Sequence, residues 1–75
     1  MRIKLIWDLR GPDAEQTAKH HAIHLKEYAE KHLNENNTSG VEKQTDMHSI
    51  AYMICDREQM IAIRDALKPH RAVEA

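Results

Sequence analysis

The stretch HHAIHLKEYAEKH, residues 20–32, holds four of the chain's six histidines. On a helix, His20 and His24 stand about one turn apart, which brings two imidazoles within reach of one metal ion. Glu27 lies close to the same face and can add a carboxylate oxygen. The chemistry implied is the binding of zinc, nickel or copper. The ligand set is incomplete, because zinc takes four ligands, or three and a water. There is no HExxH and no further ligand pair at helical or strand spacing, and His48 and His70 are remote along the chain. The plain reading, beside the metal one, is that these are solvated residues on the side of an ordinary helix, with no cofactor.

The other chemistry-bearing residues each carry two readings. His21 and His32 fall at the margin of the helix's apolar stripe, where a histidine is either a half-buried packing residue or a proton-handling group. With Trp7 and Tyr28 they outline a pocket for a small ligand or an enzymatic reaction. No serine or cysteine nucleophile sits in a recognisable motif beside them. Cys55 precedes a helix by one residue, where the helix dipole favours a thiolate, but Asp56 opposes this and the strand pattern buries the thiol. Inert packing is the reading for Cys55, a reactive thiol the alternative. Arg10-Gly11-Pro12-Asp13 joins a strand to a helix N-terminus, a place where anions bind. One glycine and a proline without an N–H make a poor phosphate cradle, so a plain turn is expected. Ile23 is expected as a lone exposed isoleucine opposite the stripe.

These residues need elements to position them. Residues 2–9 alternate, with Ile3, Leu5, Trp7 and Leu9 on one side and Lys4, Ile6 and Asp8 on the other, as a strand does. Gly11-Pro12 breaks the chain, and Ala14, Ala18, Ala22, Leu25, Ala29 and Leu33 recur at helical spacing, so a helix is expected over 12–33 with Pro12 at its first position. Residues 34–40, NENNTSG, read as a loop. A short polar edge strand follows at 41–45, with Asp46 as a turn residue. Residues 47–55 form the most apolar run, expected to be covered on both faces. A second helix is expected over 57–68, with Asp56 as N-cap, Gln59 at the capping-box position, and Met60, Ile63 and Leu67 on one face. Residues 70–74 suit a last short strand.

DAEQ at 13–16 and DREQ at 56–59 each open a helix after an apolar strand. The order is therefore β-α-β-β-α-β in one small domain, an α+β, ferredoxin-like split-βαβ sandwich with two helices on one face of a small antiparallel sheet. A disordered tail would leave β-α-β-α. The other sheet face would then expose Ile6 and one apolar side of 50–55.

Composition narrows the classes. The chain has 75 residues, and its 41% hydrophobic share includes nine alanines, four methionines and no phenylalanine. A core so thin suggests self-association. One cysteine excludes an intrachain disulfide and a cysteine-cluster zinc site. The N-terminus is too short and charged in its apolar run for a signal peptide, and no run approaches the roughly 20 residues of a membrane span. A net charge of −1 with mixed signs argues against nucleic-acid or membrane partners. Metal-carrying ferredoxin-like chaperones place two cysteines where this chain has DLRGPD. RNA-recognition domains need aromatic motifs on the central strands, and acylphosphatase-like proteins a glycine-rich anion loop. None is present. The expectation is a cytoplasmic binding or interaction module acting as a homodimer through its open sheet face or an edge. Metal binding at His20 and His24 is the second reading, and a pocket near Trp7, His21, Tyr28 and His32 the third. If His21 and His32 are half-buried and neutral, stability should fall as pH drops through about 6.5.

Overall fold

The computed structural model describes residues 2–32 and 38–75. The chain runs β1 (Arg2–Arg10), α1 (Ala14–His32), β2 (Thr38–Thr45), β3 (His48–Asp56), α2 (Arg57–Leu67) and β4 (Arg71–Glu74). The strands form one antiparallel sheet in the order β2-β3-β1-β4. This is the ferredoxin-like α+β sandwich. Each helix links two strands that run in the same direction with a third strand between them, so both helices lie on one face.

Alternation on β1 and β3 decides what that face buries. The register sets Ile3 opposite Cys55, Leu5 opposite Met53 and Trp7 opposite Ala51, and all six are buried. Leu25 from α1 and Ile63 from α2 complete the cluster, with Leu9, Tyr28, Ala29, Met60 and Leu67 packed at its margin. Each fully buried leucine, isoleucine or methionine contributes about 1.5–3 kcal/mol. The stripe on α1 is made of small residues: Ala14 and Ala18 are buried beside Leu25, which lets the helix backbone lie close to the sheet. The α2 helix buries only Ile63 outright, so it is the more lightly held of the two.

Several boundaries differ from expectation. Pro12 lies in a turn, and α1 begins at Ala14, where the amide donates to the Gly11 carbonyl at 3.1 Å. Gly11 has φ +112°, a conformation that favours glycine, and its amide donates to the Met47 carbonyl at 2.8 Å. Residues 38–40, expected in the loop, are the start of β2, because pairing with β3 outweighs their turn-prone composition. The rest of that expected loop, and Leu33, lie outside the described residues. The tail is a strand, so the β-α-β-α alternative does not apply. Asp56 is the N-cap of α2, but its side chain makes no cap hydrogen bond. Its carboxylate accepts from Arg2 Nη1 at 3.0 Å instead, and Gln59 Oε1 is buried without a partner among the described residues, so the capping box does not form.

The largest correction concerns the open face. Ile6 and Ile50 lie on it, as the alternation requires, but each is only 4% exposed. Charged neighbours stand beside them on the same face. Lys4 Nζ pairs with Glu42 Oε1 at 2.8 Å and sits 4.6 Å from the centre of the Tyr52 ring. Arg71 and His48 converge on Asp8. The stems of long cations shield apolar surface while their heads stay wet, so the face presents ions rather than a bare apolar patch.

Candidate functional site

The helix places His20 and His24 together on its exposed side. Their Nε2 atoms are 3.1 Å apart and the rings meet edge-on at 4.7 Å. Glu27 is also exposed on α1. Among the described residues, no group of three or more His, Cys, Asp or Glu side chains is placed to hold a metal ion. The pair is a two-nitrogen chelate at most, and Glu27 does not complete it within one chain.

The four residues of the expected pocket form two ring pairs. Trp7 and His21 are 5.2 Å apart, Tyr28 and His32 4.8 Å. Trp7 is core, and its Nε1 donates to the Leu67 carbonyl at 2.9 Å, which ties β1 to the end of α2. His21 is half-buried, and its Nε2 is enclosed with no hydrogen-bond partner among the described residues. Burial holds its pKa below the ordinary 6.5, and the neighbouring His24, His70 and His20 push the same way. His32 is exposed, where the stripe suggested half-burial, because it lies on the last turn of α1, at the edge of what the sheet covers. Cys55 is fully buried, and burial pushes its thiol pKa up from 9.0, with Arg2 opposing and Asp56 adding to the rise. The thiol is therefore held in its unreactive form. Ile23 is 56% exposed.

The densest polar constellation is elsewhere, on the open face at Asp8. Alternation sends this aspartate away from the helices, and the register brings its neighbours to it. One carboxylate oxygen, Oδ1, accepts from His48 Nε2 at 2.8 Å and from Arg71 Nη2 at 3.1 Å; the other, Oδ2, accepts from Arg71 Nε at 3.1 Å. Asp8 thus joins β1 to β3 on one side and to β4 on the other. The Arg71 hydrogen bond, the largest influence, holds the Asp8 carboxyl below its ordinary 3.8; partial desolvation opposes this, and His48 adds to the lowering. The backbone joins in, since the Asp8 amide donates to His70 Nδ1 at 2.8 Å. A neutral His70 accepting there carries its proton on Nε2.

An aspartate that orients a histidine is the base half of a catalytic triad. The other half is missing here. The hydroxyl of Ser49 is buried without a partner among the described residues, and its register opposite Leu9 places it on the helix side of the sheet, as Cys55 is. Among the described residues, the arrangement ties three strands together.

Sequence reasoning placed Asp8 on the open side of β1 but did not join it to His48, His70 and Arg71, which lie about 40–63 positions further on. The available signal was a lone carboxylate in the middle of an apolar strand. A charge there needs partners from neighbouring strands, and His48 and Arg71 open the two strands that flank β1. No protein-family model, curated protein or solved structure matches the chain.

Proposed function

We propose that the chain is a small binding module that works as a homodimer, with the contact made along the outer edge of β2. The observation that carries this reading is β2 itself. It is an eight-residue strand at the edge of the sheet, with β3 on one side and no strand on the other among the described residues. Such an edge presents unpaired backbone groups and is a ready template for another strand. The charge pattern suits a second copy. An antiparallel pairing centred on Val41 sets Val41 against its own counterpart, Glu42 against Gly40 and Lys43 against Ser39, with no like charges opposed. The thin core supplies the motive, and the ion-covered open face shifts the contact from the face to the edge.

Light scattering coupled to size exclusion at tens of micromolar tests this. A mass near twice 8.7 kDa is expected for the wild type, and 8.7 kDa for Ser39→Lys, which sets lysine against lysine in that register. A monomeric wild type, or a Ser39→Lys dimer of unchanged strength, sinks the edge contact.

A second reading has its own observation. Nitrogen ligands at about 2.0–2.1 Å from a tetrahedral zinc ion stand about 3.3 Å from each other, close to the 3.1 Å between His20 Nε2 and His24 Nε2. Two copies would supply four imidazoles to one ion. Native mass spectrometry of protein never exposed to a nickel column reads subunit number and bound mass together. Metal lost in His24→Ala supports this reading, whereas a metal-free wild type after zinc addition removes it.

A further inference from the structure

The least buried element is β4: all four of its residues are exposed, including Val73. Little apolar burial holds it, so its attachment to β1 is polar. The strand pairing runs from Ile3 opposite Glu74 to Ile6 opposite Arg71. At one end the Ala75 amide donates to the Arg2 carbonyl at 3.0 Å, and at the other the His70 amide donates to the Ile6 carbonyl at 2.9 Å. Beyond that point the ladder continues through a side chain, the His70 imidazole taking the Asp8 amide where a strand would offer a carbonyl. The Arg71 fork on the Asp8 carboxylate completes the attachment.

We propose that β4 is a strap released by protons: protonation of His70 unlatches it from β1 and uncovers the second edge of the sheet. The latch needs a lone pair on Nδ1, and an imidazolium has none, carrying N–H groups on both nitrogens. A protonated His70 therefore opposes a donor to the Asp8 amide, and this exposed end of the ladder loses its protein acceptor. The surroundings offer little compensation. From β1, the Asp8 carboxylate is already engaged by Arg71 and by His48 of β3. From β4, Arg71 is itself a cation. From α1, His21 lies within electrostatic reach of His70, with His20 and His24 around it. Lys68 lies two residues before His70. The bond as built uses the Nδ1 lone pair, so a proton on that nitrogen and the closed latch exclude each other.

Amide hydrogen exchange by NMR at about pH 7.5 and about pH 5, on either side of the free imidazole value, tests this. Rates are corrected for intrinsic exchange and referred to amides of the β1–β3 ladder. The amides of Asp8, His70 and Ala75 are expected to lose about tenfold in protection at the lower pH relative to that ladder, the equivalent of one hydrogen bond. In His70→Asn the side-chain oxygen stands where Nδ1 stood and binds no proton, so protection there should not change with pH. The imidazole nitrogen shifts of the wild type give an independent reading: Nδ1 should be unprotonated at the higher pH and gain its proton in step with the loss of protection. Equal protection at both pH values, an equal loss in His70→Asn, or a proton on Nδ1 in the closed state each overturns the proposal.

Discussion

Asp8→Asn is the substitution that the structure makes most informative. The change keeps size and shape, removes the charge, and replaces one acceptor oxygen by an NH2 group. Turned one way the NH2 group meets Arg71 Nε alone, and turned the other it meets both His48 Nε2 and Arg71 Nη2. Three hydrogen bonds depend on the carboxylate, at 2.8, 3.1 and 3.1 Å. The two from Arg71 belong to a half-exposed guanidinium, so solvent screens them, and such pairs contribute roughly 0.2–1 kcal/mol. The His48 bond joins side chains that are 18% and 16% exposed, where a hydrogen bond to a charged group is worth about 1.5–3 kcal/mol. The sum is about 2–4 kcal/mol, and about half of it survives when the amide oxygen takes the Oδ1 place, so a loss of about 1–2 kcal/mol is expected. A chain of this length has about 4–11 kcal/mol of total stability, so the variant should stay folded while its urea midpoint drops clearly. Trp7 fluorescence follows the transition, because the indole is buried and bonded to the Leu67 carbonyl. Asp46→Asn serves as reference, since Asp46 is almost fully exposed with a partner at 3.5 Å. The sign of the pH dependence is set by the lowered Asp8 pKa: the contribution is present above 3.8 and is lost as pH falls through the folded value. A loss no greater than that of Asp46→Asn, or a wild-type advantage that persists when both carboxyls are protonated, would refute the assignment of Asp8 as the joint of three strands.

Three further outcomes follow from other parts of the molecule. His21 has a folded pKa below 6.5, so the unfolded chain binds its proton first and stability rises with pH across that window; the urea midpoint should be lower at about pH 5 than at about pH 7.5, and His21→Gln should remove part of that difference. A Cβ on Gly40 would stand 2.6 Å from Tyr52 Oη and 2.9 Å from its Cζ, so Gly40→Ala must push the ring aside. The lost Lys4 contact of about 0.5–1 kcal/mol is nearly offset by alanine's lower chain entropy, about 0.5–1 kcal/mol; stability should barely change, while the ring-current shift on the Lys4 side chain disappears from the NMR spectrum. Cys55 is buried with a raised pKa, so its alkylation in native buffer should be slow and follow global unfolding; modification as fast as that of a free thiol would contradict the packing.

Much of the architecture can be read directly from the chain. Period-two alternation in IKLIWDL assigns Ile3, Leu5 and Trp7 to the helix side and Ile6 and Asp8 to the other, because a pleated strand leaves no other choice. The three-to-four spacing of Ala14, Ala18 and Leu25 does the same for α1, and the alternation of strand and helix patterns is enough for the β-α-β-β-α-β order. The i,i+4 approach of His20 and His24 also follows from helix geometry alone. All of these are local, set by dihedral angles and side-chain period over a few residues.

What required the tertiary structure depends on register between distant segments. Composition marks 38–40 as loop, and only the β3 ladder makes it strand. Asp56 has the right type and place to cap α2, yet Arg2, 54 positions away, takes its carboxylate. Ile6 and Ile50 look bare by alternation, yet each is only 4% exposed on a face where ion pairs join neighbouring strands. The Asp8 joint has the same origin, since neither the 40 positions to His48 nor the 63 to Arg71 can be bridged by any local rule. Local chemistry determined which elements form and which side each residue faces; the pairing of β1 with β3 and β4 decided which charges meet.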